Sequence, residues 1–216
     1  LPIHYILIFL FIYPLYHSTL ARDVRFKRDV LFENTEYELN IYRIYGREDG
    51  NTMLIIGGMH NEPGGYLTAD KYVDISLRKG NLIVVPRANF NTIIHDQRGI
   101  NGDMNRKFAR NGKPKDYDDI IVERIKQLMS ESDIVLNLHE GSGFFIETYI
   151  DRWRNPMRFG QSIIADSDIY YSSKRKNYIN LEALARRVLT NVNRKIEDKK
   201  YRFRFNIFSE HPKTAF

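Results

Sequence analysis

The sequence has 216 residues, of which 43% are hydrophobic and 13% aromatic, so it is long and apolar enough to form one folded domain and is not a disordered chain. Its 33 basic and 27 acidic residues are spread along the chain, and the charge of +6 accompanies no nucleic-acid-binding motif. Since there are no cysteines, disulfides, thiolate metal sites and cysteine nucleophiles are excluded, and any metal must be bound by His, Asp or Glu.

Residues 1–21 predict a secretory signal peptide. An apolar segment over residues 5–13 is too short to span a bilayer, and Thr19 and Ala21 are the small residues that precede a cleavage site. The alternative is a buried N-terminal strand. We favour the signal peptide, which predicts a mature domain over residues 22–216 in the periplasm, with no stable membrane span after cleavage.

The first elements after this leader alternate between strands and a helix. Residues 36–46 alternate like a half-buried strand, whereas residues 52–58 and 81–86 are short apolar runs typical of strands covered on both faces. Between these runs, residues 65–80 have helical spacing and end at Gly80, a candidate C-cap. The pattern predicts a unit of strand, helix and strand.

The second half of the chain continues the alternation. Residues 116–132 have the apolar spacing of a helix, and residues 132–143 predict another buried strand that ends in polar residues and glycines. A further helix begins after Asn180, a candidate N-cap. Its predicted apolar face consists of Leu181, Leu184, Ala185, Val188, Val192 and Ile196. These elements predict an α/β fold.

Two of the predicted strands end in a histidine and a glutamate. His60 and Glu62 are two residues apart, so in an extended segment both side chains face the same way. Ligands gather at the carboxyl ends of strands in α/β sheets, so His139 can join them. Two imidazoles and one carboxylate are the ligands of a catalytic zinc with an open position. The alternative is that all three residues make only structural hydrogen bonds, which the coincidence of two strand-end histidines disfavours.

Glu140 adjoins His139, so on a strand it should face the opposite side and not share the metal. A second candidate group lies in the glycine-punctuated segment 98–110. There Arg98, Asn105 and Arg106 offer guanidinium groups and an amide, which suit a carboxylate ligand. A solvated basic loop is the equally weighted alternative.

Four motifs occur in order along the chain: IIGGMHNEPGGY, RGINGDMNRKF, DIVLNLHEGSGFF and NPMRFGQSIIADSD. Over residues 30–208 they resemble the M14-like zinc carboxypeptidases that trim peptidoglycan stem peptides in Gram-negative bacteria, the M99-type group of cell-shape DL-carboxypeptidases. The resemblance implies a mixed, mostly parallel central sheet flanked by helices. It also implies Zn²⁺ bound by His60, Glu62 and His139, and a substrate carboxylate bound by Arg98, Asn105 and Arg106.

The chain departs from the family pattern in two ways. The metal motif reads H-N-E, one residue shorter than the family's H-x-x-E or Q-x-x-E, so either the turn differs or the site is damaged. The family's general base is a glutamate on a late strand, for which neither Glu140 nor Glu210 is a convincing substitute. We therefore expect a C-terminally truncated zinc carboxypeptidase-like domain with weak or no activity, and the catalytic base is unassigned.

The resemblance implies a metallocarboxypeptidase that removes the C-terminal residue of stem peptides or muropeptides, such as a terminal meso-diaminopimelate. One alternative is a zinc deacylase of the aspartoacylase and succinylglutamate desuccinylase type, which acts on small acylated amino acids in the cytoplasm. The other is a non-catalytic module that binds wall peptides. A cleaved signal peptide disfavours the deacylase, whereas the shortened motif and the missing glutamate favour the binding module.

Overall fold

The computed structural model describes residues 25–110, 112–172 and 176–208. The predicted signal peptide with its cleavage site, as well as Glu210, lies outside these ranges. Within them, no helix combines the length and the apolar character that crossing a bilayer requires.

The first part of the chain forms a five-stranded sheet with its helices. The strands are β1 (Arg25–Leu31), β2 (Leu39–Tyr45), β3 (Glu48–Ile56), β4 (Lys79–Val85) and β5 (Ile134–Asn137). The helices are α1 (Pro63–Asp70), α2 (Phe90–Ile94) and α3 (Tyr117–Glu131), with a 3₁₀-helix over Met104–Ala109. The strand order is β1-β2-β4-β3-β5.

This sheet is mixed, as predicted. β3 lies between β4 and β5 and is parallel to both, whereas β2 is antiparallel to both β1 and β4. Parallel and antiparallel pairs are therefore equal in number among the described strands of this sheet, and the sheet is less parallel than expected. The short connection over residues 32–38 is one cause, because so few residues can join β1 to β2 only as an antiparallel pair.

The two faces of the sheet carry separate apolar clusters. On β3, Leu54 and Ile56 pack on one side with Ile121, Ile125 and other residues of α3. Ile55 points to the other side, where it packs with Ala69 of α1. Both faces of β3 are thus covered, as its continuous apolar run predicted.

The helix predicted over residues 65–80 is shorter than expected, and Gly80 is not its C-cap. α1 ends at Asp70, and Val73, Ile75 and Leu77 pack from the following loop against the cluster around Ile55. Gly80 lies in β4 with φ +80°, where a side chain would meet the Asn51 carbonyl oxygen.

The expectation that β5 is a buried strand was wrong in part. Val135 and Leu136 are 40% and 37% exposed. The reason is that β5 pairs with β3 on one side, while its other side has no strand partner among the described residues.

The rest of the described chain forms small two-stranded sheets and one helix. The elements are β6 (Phe144–Phe145), β7 (Arg154–Asn155), β8 (Ser162–Ala165), β9 (Ile169–Ser172), β10 (Asn177–Asn180), α4 (Leu181–Asn193), a 3₁₀-helix (Lys199–Tyr201) and β11 (Arg204–Ile207). β6 pairs with β7 and β8 with β11 in parallel, and β9 pairs with β10 antiparallel.

α4 begins as predicted, with the Asn180 side chain accepting a hydrogen bond from the Ala183 backbone N–H at 2.7 Å. Its buried face agrees with the prediction only in part. Ala185 is buried as predicted, but so is Leu189, whereas Val188 is 45% exposed. The helix packs against β11 and ends at Asn193, before the predicted Ile196.

Candidate metal centre

The structure brings His60, Glu62 and His139 together. β3 and β5 are parallel neighbours whose last residues, Ile56 and Asn137, are paired, so the segments that follow them leave the sheet at the same edge. The Glu62 carboxylate lies between the two histidines, with Oε1 3.0 Å from His60 Nδ1 and Oε2 2.9 Å from His139 Nδ1. One ligand atom from each residue lies within 4.8 Å of the others.

A glycine-rich turn makes this convergence possible. Gly58 has φ +64°, a conformation that other residues rarely adopt, and it bends the chain directly after β3. Gly65 packs against the end of β5 so closely that a Cβ atom there would lie 2.6 Å from the Leu138 carbonyl oxygen. The H-N-E motif, although one residue shorter than the family's, therefore still places both side chains beside His139.

Asp103 is a site residue that sequence reasoning missed. Its Oδ1 lies 2.8 Å from His60 Nε2 and also accepts the backbone N–H of Asn105. A carboxylate that accepts from one imidazole nitrogen fixes the tautomer and ring orientation, which leaves the other nitrogen for a metal. Its sequence signal was limited to an N-cap position at the start of the first 3₁₀-helix, which says nothing about a histidine 43 residues away.

The electrostatics of the cluster favour a positive charge at its centre. Burial of His60 opposes its protonation, but hydrogen bonds to Glu62 and Asp103 outweigh this and raise the pKa of His60. Burial likewise disfavours ionised Glu62, but hydrogen bonds from His139 and His60 hold the pKa of Glu62 far below its usual value. The donors therefore fit a divalent cation, which would replace protons on the two Nδ1 atoms.

The chemistry of the donor set also supports this fit. All three donors are nitrogen or oxygen atoms, in the His₂Glu combination found at catalytic zinc sites.

Of the three predicted carboxylate-binding residues, Arg98 has its side chain beside the cluster. The Arg98 guanidinium is 3.2 Å from Asp103 Oδ2 and 3.7 Å from Glu62 Oε1, and its side chain is 62% exposed. Asn105 is buried, whereas Arg106 is exposed. Both residues lie on the 3₁₀-helix for which Asp103 is the N-cap.

Glu140 follows β5 outside the strand and is not among the grouped donor residues, although its backbone N–H donates to Glu62 Oε2 at 3.3 Å. Its carboxylate accepts the backbone N–H of Gly64 at 2.9 Å, at the beginning of α1. Within the described residues, Glu140 and Asp103 are both engaged in other hydrogen bonds, so neither is assigned as a general base.

Comparison with known proteins gives a consistent family match. The profile of the family described as "Carboxypeptidase controlling helical cell shape catalytic" matches residues 30–209. Among solved structures, the cell shape determinant protein Csd4 from Helicobacter pylori is similar in its apo form, with a TM-score of 0.67 and 28% identity over 78% of this chain. Its mDAP-bound form, described as a D,L-carboxypeptidase, gives a TM-score of 0.62 and 30% identity over 74% of this chain.

The chain spans 41% of the apo Csd4 chain and 38% of the mDAP-bound one. A succinylglutamate desuccinylase/aspartoacylase from Rhodobacter sphaeroides is more distant, with a TM-score of 0.45 and 22% identity over 56% of this chain. No curated protein sequence matches this chain significantly.

Proposed function

Since this chain belongs to the family of carboxypeptidases that control helical cell shape, we propose that it carries a zinc carboxypeptidase site for the C-terminal residue of peptidoglycan stem peptides. The observation that supports this best is the convergence of His60, Glu62 and His139 with Arg98 at their side. A metal site next to an exposed guanidinium group suits a substrate with a free carboxylate close to the scissile bond.

We assign zinc to the cluster from its donors. Neutral imidazole suits several transition metals, but two histidines with one glutamate and no thiolate are the ligands of zinc peptidases. Zinc, when bound, supplies Lewis-acid chemistry that polarises a carbonyl group and makes water a better nucleophile at neutral pH. His60 and His139 would hold it through Nδ1, and Asp103 would keep the His60 ring in place.

Arg98, Asn105 and Arg106 would bind the terminal carboxylate of the substrate. An arginine forms paired hydrogen bonds with a carboxylate, and this would hold the last peptide bond beside the metal. Endopeptidase activity would be excluded, because an internal peptide segment has no carboxylate for these residues.

The substrate class comes from the related protein. Csd4 has been solved with a tripeptide and with mDAP, and we extend this to stem peptides that end in meso-diaminopimelate. Such a substrate lies in the periplasm, which agrees with the predicted signal peptide. Because no general base is assigned within the described residues, we expect this chain to bind the peptide with little turnover.

Metal analysis and peptide binding test the proposal. The purified protein, reconstituted with zinc and dialysed, should retain about one zinc per chain, and His139→Ala should retain much less because one of the three ligands is lost. His95→Ala is the matched control, since His95 is an exposed histidine that pairs with Glu36 outside the cluster. Equal zinc in the wild type and His139→Ala, or none in either, would overturn the metal assignment.

The zinc-loaded protein should then bind a tripeptide ending in meso-diaminopimelate more tightly than its C-terminal amide. Release of the terminal residue is followed separately from binding. Binding without release would favour a wall-peptide-binding role for this chain. Equal affinity for the acid and the amide would rule out the proposed carboxylate-binding role of Arg98, Asn105 and Arg106.

A further inference from the structure

Lys107 is a buried lysine that neither the metal centre nor the carboxylate-binding group uses. Its side chain is fully buried, and Nζ lies 2.7 Å from both carboxylate oxygens of Asp116. Asp118 and Asp119 are each 3.6 Å from the same nitrogen. Lysine is almost never fully buried unless it is paired, so this contact with the beginning of α3 needs an explanation.

The position of Lys107 in the fold suggests an explanation for its burial. It lies on the first 3₁₀-helix, which also carries Asn105 and Arg106 and which begins at Asp103. With three residues per turn, Met104 and Lys107 share the buried side of this helix, whereas Asp103 at its start contacts His60 of the metal cluster. Lys107 therefore holds, from the buried side, the segment that carries Asn105 and Arg106 of the proposed carboxylate-binding site.

The contact joins Lys107 to α3, a helix that is packed in the core. Ile121, Ile125 and Leu128 of α3 are buried against the sheet. Asp116 is also the N-cap of α3, with Oδ1 accepting the Asp119 backbone N–H at 2.9 Å. A displacement of Lys107 would therefore require movement of a helix end that is fixed to the core.

The charges at this contact are not arranged for maximum stability. Three carboxylates surround one ammonium group, and burial raises the pKa of Asp118 even though Lys107 opposes this. Replacing a buried ion pair by apolar side chains is often neutral or stabilising, so such a pair is weak evidence for stability. We therefore interpret the contact of Lys107 with Asp116 as one that fixes the position of the 3₁₀-helix relative to α3.

We propose that Lys107 is a positioning residue for the carboxylate-binding site, fixing the 3₁₀-helix to α3 so that Asn105 and Arg106 stay in place beside the metal cluster. This inference rests on the proposed function. It concerns recognition of the substrate carboxylate, since the three proposed zinc ligands lie outside this helix, and it is tested on protein saturated with zinc because Asp103 at the start of the helix orients His60.

The test compares acid and amide forms of the same tripeptide, ending in meso-diaminopimelate, on zinc-loaded protein. In Lys107→Met, the preference for the acid should fall by about tenfold or more, since displacements near 1 Å can cost about a hundredfold at such sites. Zinc content should be unchanged. A purely structural lysine would weaken acid and amide binding equally, or neither.

Two further variants complete the test. Asp116→Asn retains the N-cap of α3, because asparagine caps as well as aspartate, but removes the charge nearest Lys107. Asp116→Asn should also reduce the preference for the acid peptide. If Lys107→Met does not fold, this variant alone tests the proposed role of Lys107. Arg43→Met is the matched control, because it removes a half-buried ion pair at the other end of α3, 2.7 Å from Glu131, and should leave the preference intact.

The outcomes separate this inference from the function on which it rests. A wild-type protein that prefers the acid, with the preference kept in Lys107→Met and in Asp116→Asn, would overturn the role of Lys107 alone. A wild-type protein without any preference would overturn the proposed carboxylate recognition and with it this inference.

Discussion

The five-stranded sheet with its helices, residues 25–137, and the region after the site, residues 144–208, differ in how they use apolar side chains. Among the described residues, the only buried apolar side chains after residue 137 are Ala185 and Leu189, at 7% and 8% exposure. The later region instead exposes large apolar residues, such as Trp153 and Met157 at 47% and 81%. The packed region supplies every residue of the candidate metal centre except His139, which lies two residues beyond its last strand.

This difference shows where the precision of the site comes from. A metal centre requires ligand atoms held within fractions of an ångström, and the closely packed sheet edge can provide this. The later region has small sheets and a single helix and contributes no assigned ligand. It exposes large apolar side chains, and the outer edge of β5 beside it in sequence has no strand partner among the described residues.

The largest expected effect tests the packing difference directly. Leu54→Ala removes a fully buried side chain from the cluster between the sheet and α3, and should cost about 2–5 kcal/mol of unfolding free energy. Leu189→Ala removes the same atoms from α4 of the later region. Because Leu189 is 8% exposed and borders an open groove with Phe203, its loss should be about 2 kcal/mol or less.

Urea unfolding of both variants measures these losses. Similar losses for the two leucines would contradict the comparison, since they would show that the later region is packed as well as the sheet.

The second prediction concerns Asp103, through which the packed region orients a ligand. Asp103→Asn retains the shape of the side chain but loses the carboxylate that holds His60 Nε2, so zinc affinity should fall about tenfold or more. Asp96→Asn is the control, because Asp96 accepts a hydrogen bond from Asn61 and contacts no ligand. Competition with a chelating dye measures the zinc affinity of each variant. Equal zinc affinities in the two variants would show that His60 is oriented by packing alone.

The same contrast explains what could be predicted from the sequence. α3 was predicted almost to the residue, and α4 was predicted at its beginning but not at its end, because apolar residues at helical spacing and the N-cap Asn180 are local signals. The metal cluster was predicted because strand ends in an α/β sheet share an edge. The contacts of Asp103 with His60 and of Lys107 with α3 could not be predicted from the sequence, since both depend on how the 3₁₀-helix packs against distant parts of the chain.

Two wrong expectations have a similar cause. Apolar residues such as Val73, Ile75 and Leu77 occur in helices and also in loops that cover an apolar surface, and only the tertiary contacts distinguish the two. Gly80 was interpreted as a helix end, whereas its positive φ is required by close contact between β3 and β4.

The smallest expected effect tests whether the two regions unfold together. Asn180→Ala removes the side-chain oxygen that caps α4 and should cost about 1 kcal/mol, whereas Asn180→Asp retains an acceptor and should cost little. If the later region opens independently, hydrogen exchange should accelerate in the amides of α4 while those of β3 remain protected, and zinc content should not change. Equal acceleration in α4 and β3 would mean that the small sheets and the metal-binding core form one cooperative unit, in spite of their different packing.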